Sequence, residues 1–178
     1  LPKGEYRNGP TDKEYLFLHH TAGWNNPYNT INNWGRDSRG KVATEFVIGG
    51  QSVKGNDDKY DGDIVQAFPE GGYGWHLGKN GSKYMHKHSV GIEVNNFGYI
   101  VDGRTYAGTR VEQSQIVTLD KAFRGYKQWH RYSDKQIESL EKLIRHIGER
   151  DNIDIRKGLP ELVKEVGVAA FEFNEDAY

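Results

Sequence analysis

Residues 133–150 carry the strongest pattern in the chain. Ile137, Leu140, Leu143, Ile144 and Ile147 recur at helical spacing behind a Ser133/Gln136 capping box, which predicts a long helix with a single apolar stripe. Such a stripe is stable only when an apolar surface covers it. The remainder of the chain offers short runs of strand formers: Tyr15-Leu16-Phe17-Leu18-His19-His20, Phe46-Val47-Ile48, Ile64-Val65-Gln66-Ala67-Phe68 and Ser89-Val90-Gly91-Ile92-Glu93-Val94, each bounded by Gly, Asn, Asp or Pro. The helix must therefore pack on the sheet these runs form. The expected fold is α/β, a mixed central β-sheet flanked by helices, as one domain over residues 1–178. Asn26-Pro27 predicts the start of a short helix with Ile31 and Trp34 on one face, and Leu159-Pro160 opens another that ends near Gly167. The polar stretch from Gln51 to Gly62 reads as a hairpin excursion, and Phe171-Glu172-Phe173 as an edge strand or tail.

Composition narrows what such a domain does. With 24 Lys+Arg against 25 Asp+Glu, the chain lacks the basic excess that holds a nucleic-acid backbone, so nucleic acid is not an expected partner. The absence of cysteine excludes a disulfide scaffold, a thiol nucleophile and thiolate metal ligands, so any metal must be held by His and carboxylate. The apolar runs are a few residues long, against the roughly 20 needed to span a bilayer, and no membrane partner is expected. Mean hydropathy is low at −0.83, yet 12% aromatic residues can bury large areas, so a folded chain, expected to act as a monomer, is the natural reading. Leu1-Pro2-Lys3-Gly4 has neither an initiating Met nor a signal-peptide pattern, which suggests processing or trimming and leaves the compartment open.

Three places could carry chemistry. His19 and His20 close the first strand, and alternation puts only one of them on a given face. Gly74-Trp75-His76-Leu77-Gly78 sets another imidazole in a glycine-flanked loop. Glu93 interrupts an otherwise apolar strand. It is either a solvent-facing strand residue or a carboxylate whose burial raises its pKa to suit a general base near neutral pH. The cluster Phe123, Tyr126, Trp129 and Tyr132, interleaved with Arg124, Lys127 and Arg131, reads as a half-buried connection packed against the late helix, or as a stacking surface for sugars or bases.

Taken together, Leu16-Phe17-Leu18-His19-His20-Thr21-Ala22-Gly23, Glu45-Phe46-Val47-Ile48-Gly49-Gly50, Gly74-Trp75-His76-Leu77-Gly78 and Ser89-Val90-Gly91-Ile92-Glu93-Val94-Asn95-Asn96 resemble the zinc-dependent N-acetylmuramoyl-L-alanine amidase domain of phage endolysins, bacterial wall amidases and animal peptidoglycan recognition proteins. Tyr132-Ser133-Asp134-Lys135-Gln136 resembles that family's entry to its late helix, and the resemblance covers about residues 15–150. It implies hydrolysis of the amide between N-acetylmuramic acid and L-alanine in bacterial peptidoglycan, a cell-wall lytic activity of the phage endolysin kind. It also implies zinc as cofactor, His19 as a zinc ligand, His20 packing on the opposite face, and Glu93 as the base that polarises the metal-bound water. His76 matches a cleft histidine near substrate. Thr44 and Glu45 fall where relatives place side chains close to the metal, and Trp24 and Trp75, beside the motif histidines, are candidates for stacking on sugar.

The resemblance further implies a second His ligand and an acidic third ligand after the late helix, but no histidine follows His146. Asp151, Asp154 and Asp176 are available late carboxylates, but a carboxylate does not supply the missing imidazole. Three readings follow: a fragment whose ligand-bearing C-terminal segment is missing, a peptidoglycan-binding module of the same fold without zinc, or an alternative metal site at His86-Lys87-His88 on one strand face.

Overall fold

The computed structural model describes residues 1–9, 11–79 and 81–172. Asp176 and Phe173 lie outside the described residues. The central sheet is mixed, with β1 (Tyr15–His20), β4 (Ser89–Val94), β2 (Phe46–Ile48) and β3 (Ile64–Gln66) side by side in that order. β1 and β2 both run parallel to β4, and β3 is antiparallel to β2. Because β4 is covered on both faces, its apolar run is nearly continuous, as expected for a central parallel strand.

Helices close both faces. Phe46, Ile48, Val90, Ile92 and Val94 meet Leu143 and Ile147 of α3 (Asp134–Asp151), while Val47, on the other face, clusters with Ile31 of α1 (Pro27–Trp34), Ala43, Ala67 and Phe68. The Asn26 side chain caps α1, and the Ser133/Gln136 capping box opens α3. Gln136 does more than cap: buried almost completely, it donates from Nε2 to the Asn95 carbonyl (2.9 Å), tying the helix start to the end of β4. A Cβ on Gly50 would overlap that amide at 2.4 Å, so glycine is required there.

A second, antiparallel sheet follows β4, with order β6 (Arg104–Thr105), β5 (Tyr99–Val101), β8 (Tyr126–His130) and β7 (Ile116–Phe123). This corrects the expectation that residues 123–132 are a connection lying on α3. Phe97, Ile100 and Val111, joined by Val53 of the β2–β3 excursion, form its small core. Two further corrections concern local structure. Residues 86 and 87 lie in α2 (Lys83–Lys87) and His88 caps it, so His86 and His88 do not share a strand face. Phe171 and Glu172 belong to a 3-10 turn after α4 (Leu159–Val166), not to an edge strand.

Candidate active site

The parallel register sets His19 directly opposite Glu93. Directly paired residues on neighbouring strands project to the same face, so the imidazole and the carboxylate share one side of the sheet. The loop histidine joins them: His76 Nδ1 lies 3.0 Å from His19 Nε2, and its Nε2 lies 2.8 Å from Ser89 Oγ. The ring of His76 passes over Gly91, where a Cβ would come within 2.9 Å of Nδ1 and 2.8 Å of the Thr44 methyl. Gly91 is therefore the gap in β4 that admits the imidazole.

Burial holds His76 down to about 3, with the neighbouring imidazoles adding to the effect, and lowers His19 as well, so both rings are neutral at physiological pH. Burial alone pushes the Glu93 carboxyl up to about 7. Its Oε2 is buried without a hydrogen-bond partner among the described residues. An unpartnered buried carboxylate oxygen is costly unless something polar is meant to meet it.

Glu93 opens onto a cleft of about 680 Å³ that is also lined by His19, His20, Tyr132 and Arg124. Burial, and then the nearby Glu93 charge, push the Tyr132 phenol up to about 12. His20 was expected to pack on the opposite face; instead it is exposed at the end of the edge strand, lines the same cleft and lies over Gly98, the entry to the second sheet.

The other expected site residues lie elsewhere. Glu45 is sealed in the interior at 1% exposure, and both its oxygens are taken by the Arg150 guanidinium (2.7 and 3.2 Å), with Gln66 adding a bond to Oε1. Its carboxylate is a structural ion pair and not a substrate contact. Thr44 is fully buried, and its hydroxyl donates to the Phe46 carbonyl. Its methyl lies beside Gly91, within 2.8 Å of where a Cβ would stand. Trp24 packs edge-on against Phe97 with Lys54 over its ring, and Trp75 lies under Arg7 and Lys41. Neither indole lines the cleft. The sequence reading missed Tyr132, His20 and Arg124 as cleft residues. The two-residue turn Asp102-Gly103, a hairpin signal, announced the second sheet that carries Arg124.

A metal finds an incomplete set of donors here. Among the described residues no three His, Asp or Glu side chains are grouped to hold one, and His19 Nε2 is already engaged by His76. Of the late carboxylates among the described residues, Asp151 pairs with Arg150 and Asp154 with Arg156.

His19, Glu93 and Tyr132 thus line one open cleft, with the His76 ring held against His19 behind it. Residues 9–166 match the family described as N-acetylmuramoyl-L-alanine amidase, and the chain belongs to it. No curated protein sequence matches it. Among solved structures it is similar to the N-acetylmuramyl-L-alanine amidase AmiD from E. coli, in complex with the substrate anhydro-N-acetylmuramic acid-L-Ala-D-gamma-Glu-L-Lys, at 19% identity and a TM-score of 0.49, covering 82% of this chain and 47% of that one. It is likewise similar to AmpDh3 from Pseudomonas aeruginosa, at 19% identity and a TM-score of 0.49, covering 84% of this chain and 51% of that one. The chain thus spans about half the length of these structures.

Proposed function

We infer that this chain hydrolyses the amide bond between N-acetylmuramic acid and L-alanine in bacterial peptidoglycan, as a zinc-dependent wall-lytic amidase of the phage endolysin kind. The observation that carries the reading is Glu93: a buried carboxyl with one unpartnered oxygen, set opposite His19 in an open cleft. In the reaction, Glu93 takes a proton from the attacking water as the water oxygen bonds to the lactyl carbonyl carbon. The protonated carboxyl returns that proton to the alanine nitrogen as the C–N bond breaks, leaving a carboxylate and a free amine. Tyr132 keeps its proton at neutral pH and can donate to the carbonyl oxygen as negative charge gathers there. His76 holds the His19 ring, and Ser89 holds His76. Zinc would be held through His19.

The test is release of alanine amino termini from purified peptidoglycan in zinc-supplemented buffer. Glu93→Gln is expected to lower the rate at least about 100-fold without loss of folding, and His19→Ala to lower bound zinc. A second reading, a non-catalytic peptidoglycan-binding module, is favoured by the incomplete donor set. It is supported instead if the wild-type protein sediments with cell wall and releases no new amino termini.

A further inference from the structure

The β7–β8 hairpin turns through two residues, Arg124 and Gly125, between the paired Phe123 and Tyr126. Both turn residues have positive φ, 50° and 85°, the geometry that suits Asn-Gly or Gly-Gly. An arginine held in the left-handed region is uncommon and costs on the order of 1 kcal/mol. What the position gains is placement. Arg124 lines the Glu93 cleft beside His20 and Tyr132, and its guanidinium rests 5.5 Å over the Phe123 ring of its own hairpin.

None of the ion pairs among the described residues involves Arg124. Among the described residues it is the one permanently charged side chain lining the cleft. A guanidinium presents a planar fork of donors that matches a carboxylate with two parallel hydrogen bonds.

We propose that Arg124 binds a free carboxylate on the peptide side of the substrate, so that the cleft selects acidic stem peptides over their amidated counterparts. The proposal rests on the amidase reading. The carboxylate concerned belongs to the residue after alanine, an isoglutamate joined through its side chain. It lies within about 7 Å of the scissile nitrogen, the reach of two extended residues, so one cleft can hold both groups.

The experiment compares N-acetylmuramoyl-L-alanyl-D-isoglutamate with the isoglutamine compound, which differs only by carboxamide for carboxylate. Wild-type protein is expected to favour the acid by about 10-fold or more in kcat/KM, the worth of a charge-assisted pair. The ratio should fall to about 1 in Arg124→Asn and to an intermediate value in Arg124→Lys. Asn suits the left-handed turn, so Arg124→Asn should melt no lower than wild type, which separates recognition from folding. Equal wild-type rates on the two compounds, or a preference that survives in Arg124→Asn, would overturn the proposal. If wild-type protein cleaves neither compound, the amidase reading fails, and calorimetric titration decides the recognition question by itself. Tighter binding of the acid that is lost in Arg124→Asn supports carboxylate recognition. Equal affinities, or binding of neither compound, refute it.

Discussion

The two sheets of this molecule are held by different physics. The central sheet lies between α1 and α3, and Val47, Ile48, Val90 and Ile92 are essentially inaccessible to water. Among the described residues the second sheet has the small core around Phe97 and Ile100, flanked by aromatic contacts such as the Tyr99–Tyr126 stack, whose ring centroids are 4.0 Å apart. The first positions His19 and Glu93, and the second brings Arg124 to the rim of the same cleft. Groups that must keep a fixed separation stand on the deeply buried scaffold, and the group that reaches outward stands on a hairpin tip.

If that contrast is right, the largest stability loss should come from the interior beside the central sheet. Arg150→Ala strands the Glu45 carboxylate with Gln66 as its remaining side-chain partner, and is expected to cost roughly 3–5 kcal/mol in denaturant unfolding. A loss below about 1 kcal/mol would show that the ion pair is not structural.

The second sheet should contribute an acid-sensitive weakness of its own. His130, buried at the end of β8, accepts from the Phe97 amide at Nδ1, and burial holds its pKa down to about 4. The unfolded chain, with an ordinary value near 6.5, binds the proton first. Stability from this group is therefore complete above about pH 6.5 and falls by on the order of 3 kcal/mol as pH drops to about 4. Thermal melts of wild type and His130→Asn across that range should diverge, with the variant losing less; parallel curves would place the acid sensitivity elsewhere. The smallest effect is expected for Tyr126→Leu, which removes the stack on Tyr99 and should cost about 1 kcal/mol beyond lost area. A larger loss would mean that the second sheet depends on its aromatics more than on its core.

Legibility followed the same division. β1, α1, β2, β4 and α3 could be read because apolar runs, an Asn-Pro start and a capping box are local signals with local causes. The strands β5 to β8 were missed because they mix charged and aromatic residues without a continuous apolar face. The Asp102-Gly103 turn was their clearest sign. At the site, His19, His76 and Glu93 were named from motifs, and the structure brings all three together. Glu45 stood in a motif as well, but its partner Arg150 comes from the far end of α3, and no local pattern announces such a pairing.

By itself the sequence determined which segments are helix or strand around the central sheet, which family the motifs resemble, and that no thiolate could hold a metal. Tertiary structure alone decided that His19 faces Glu93, that His76 enters over Gly91, that His20 turns to the cleft and that Glu45 does not. The reason is physical. Periodicity encodes which face of a strand is apolar, whereas strand register and the burial of a polar side chain depend on partners distant in the chain, whose contacts exist only once the sheet has closed.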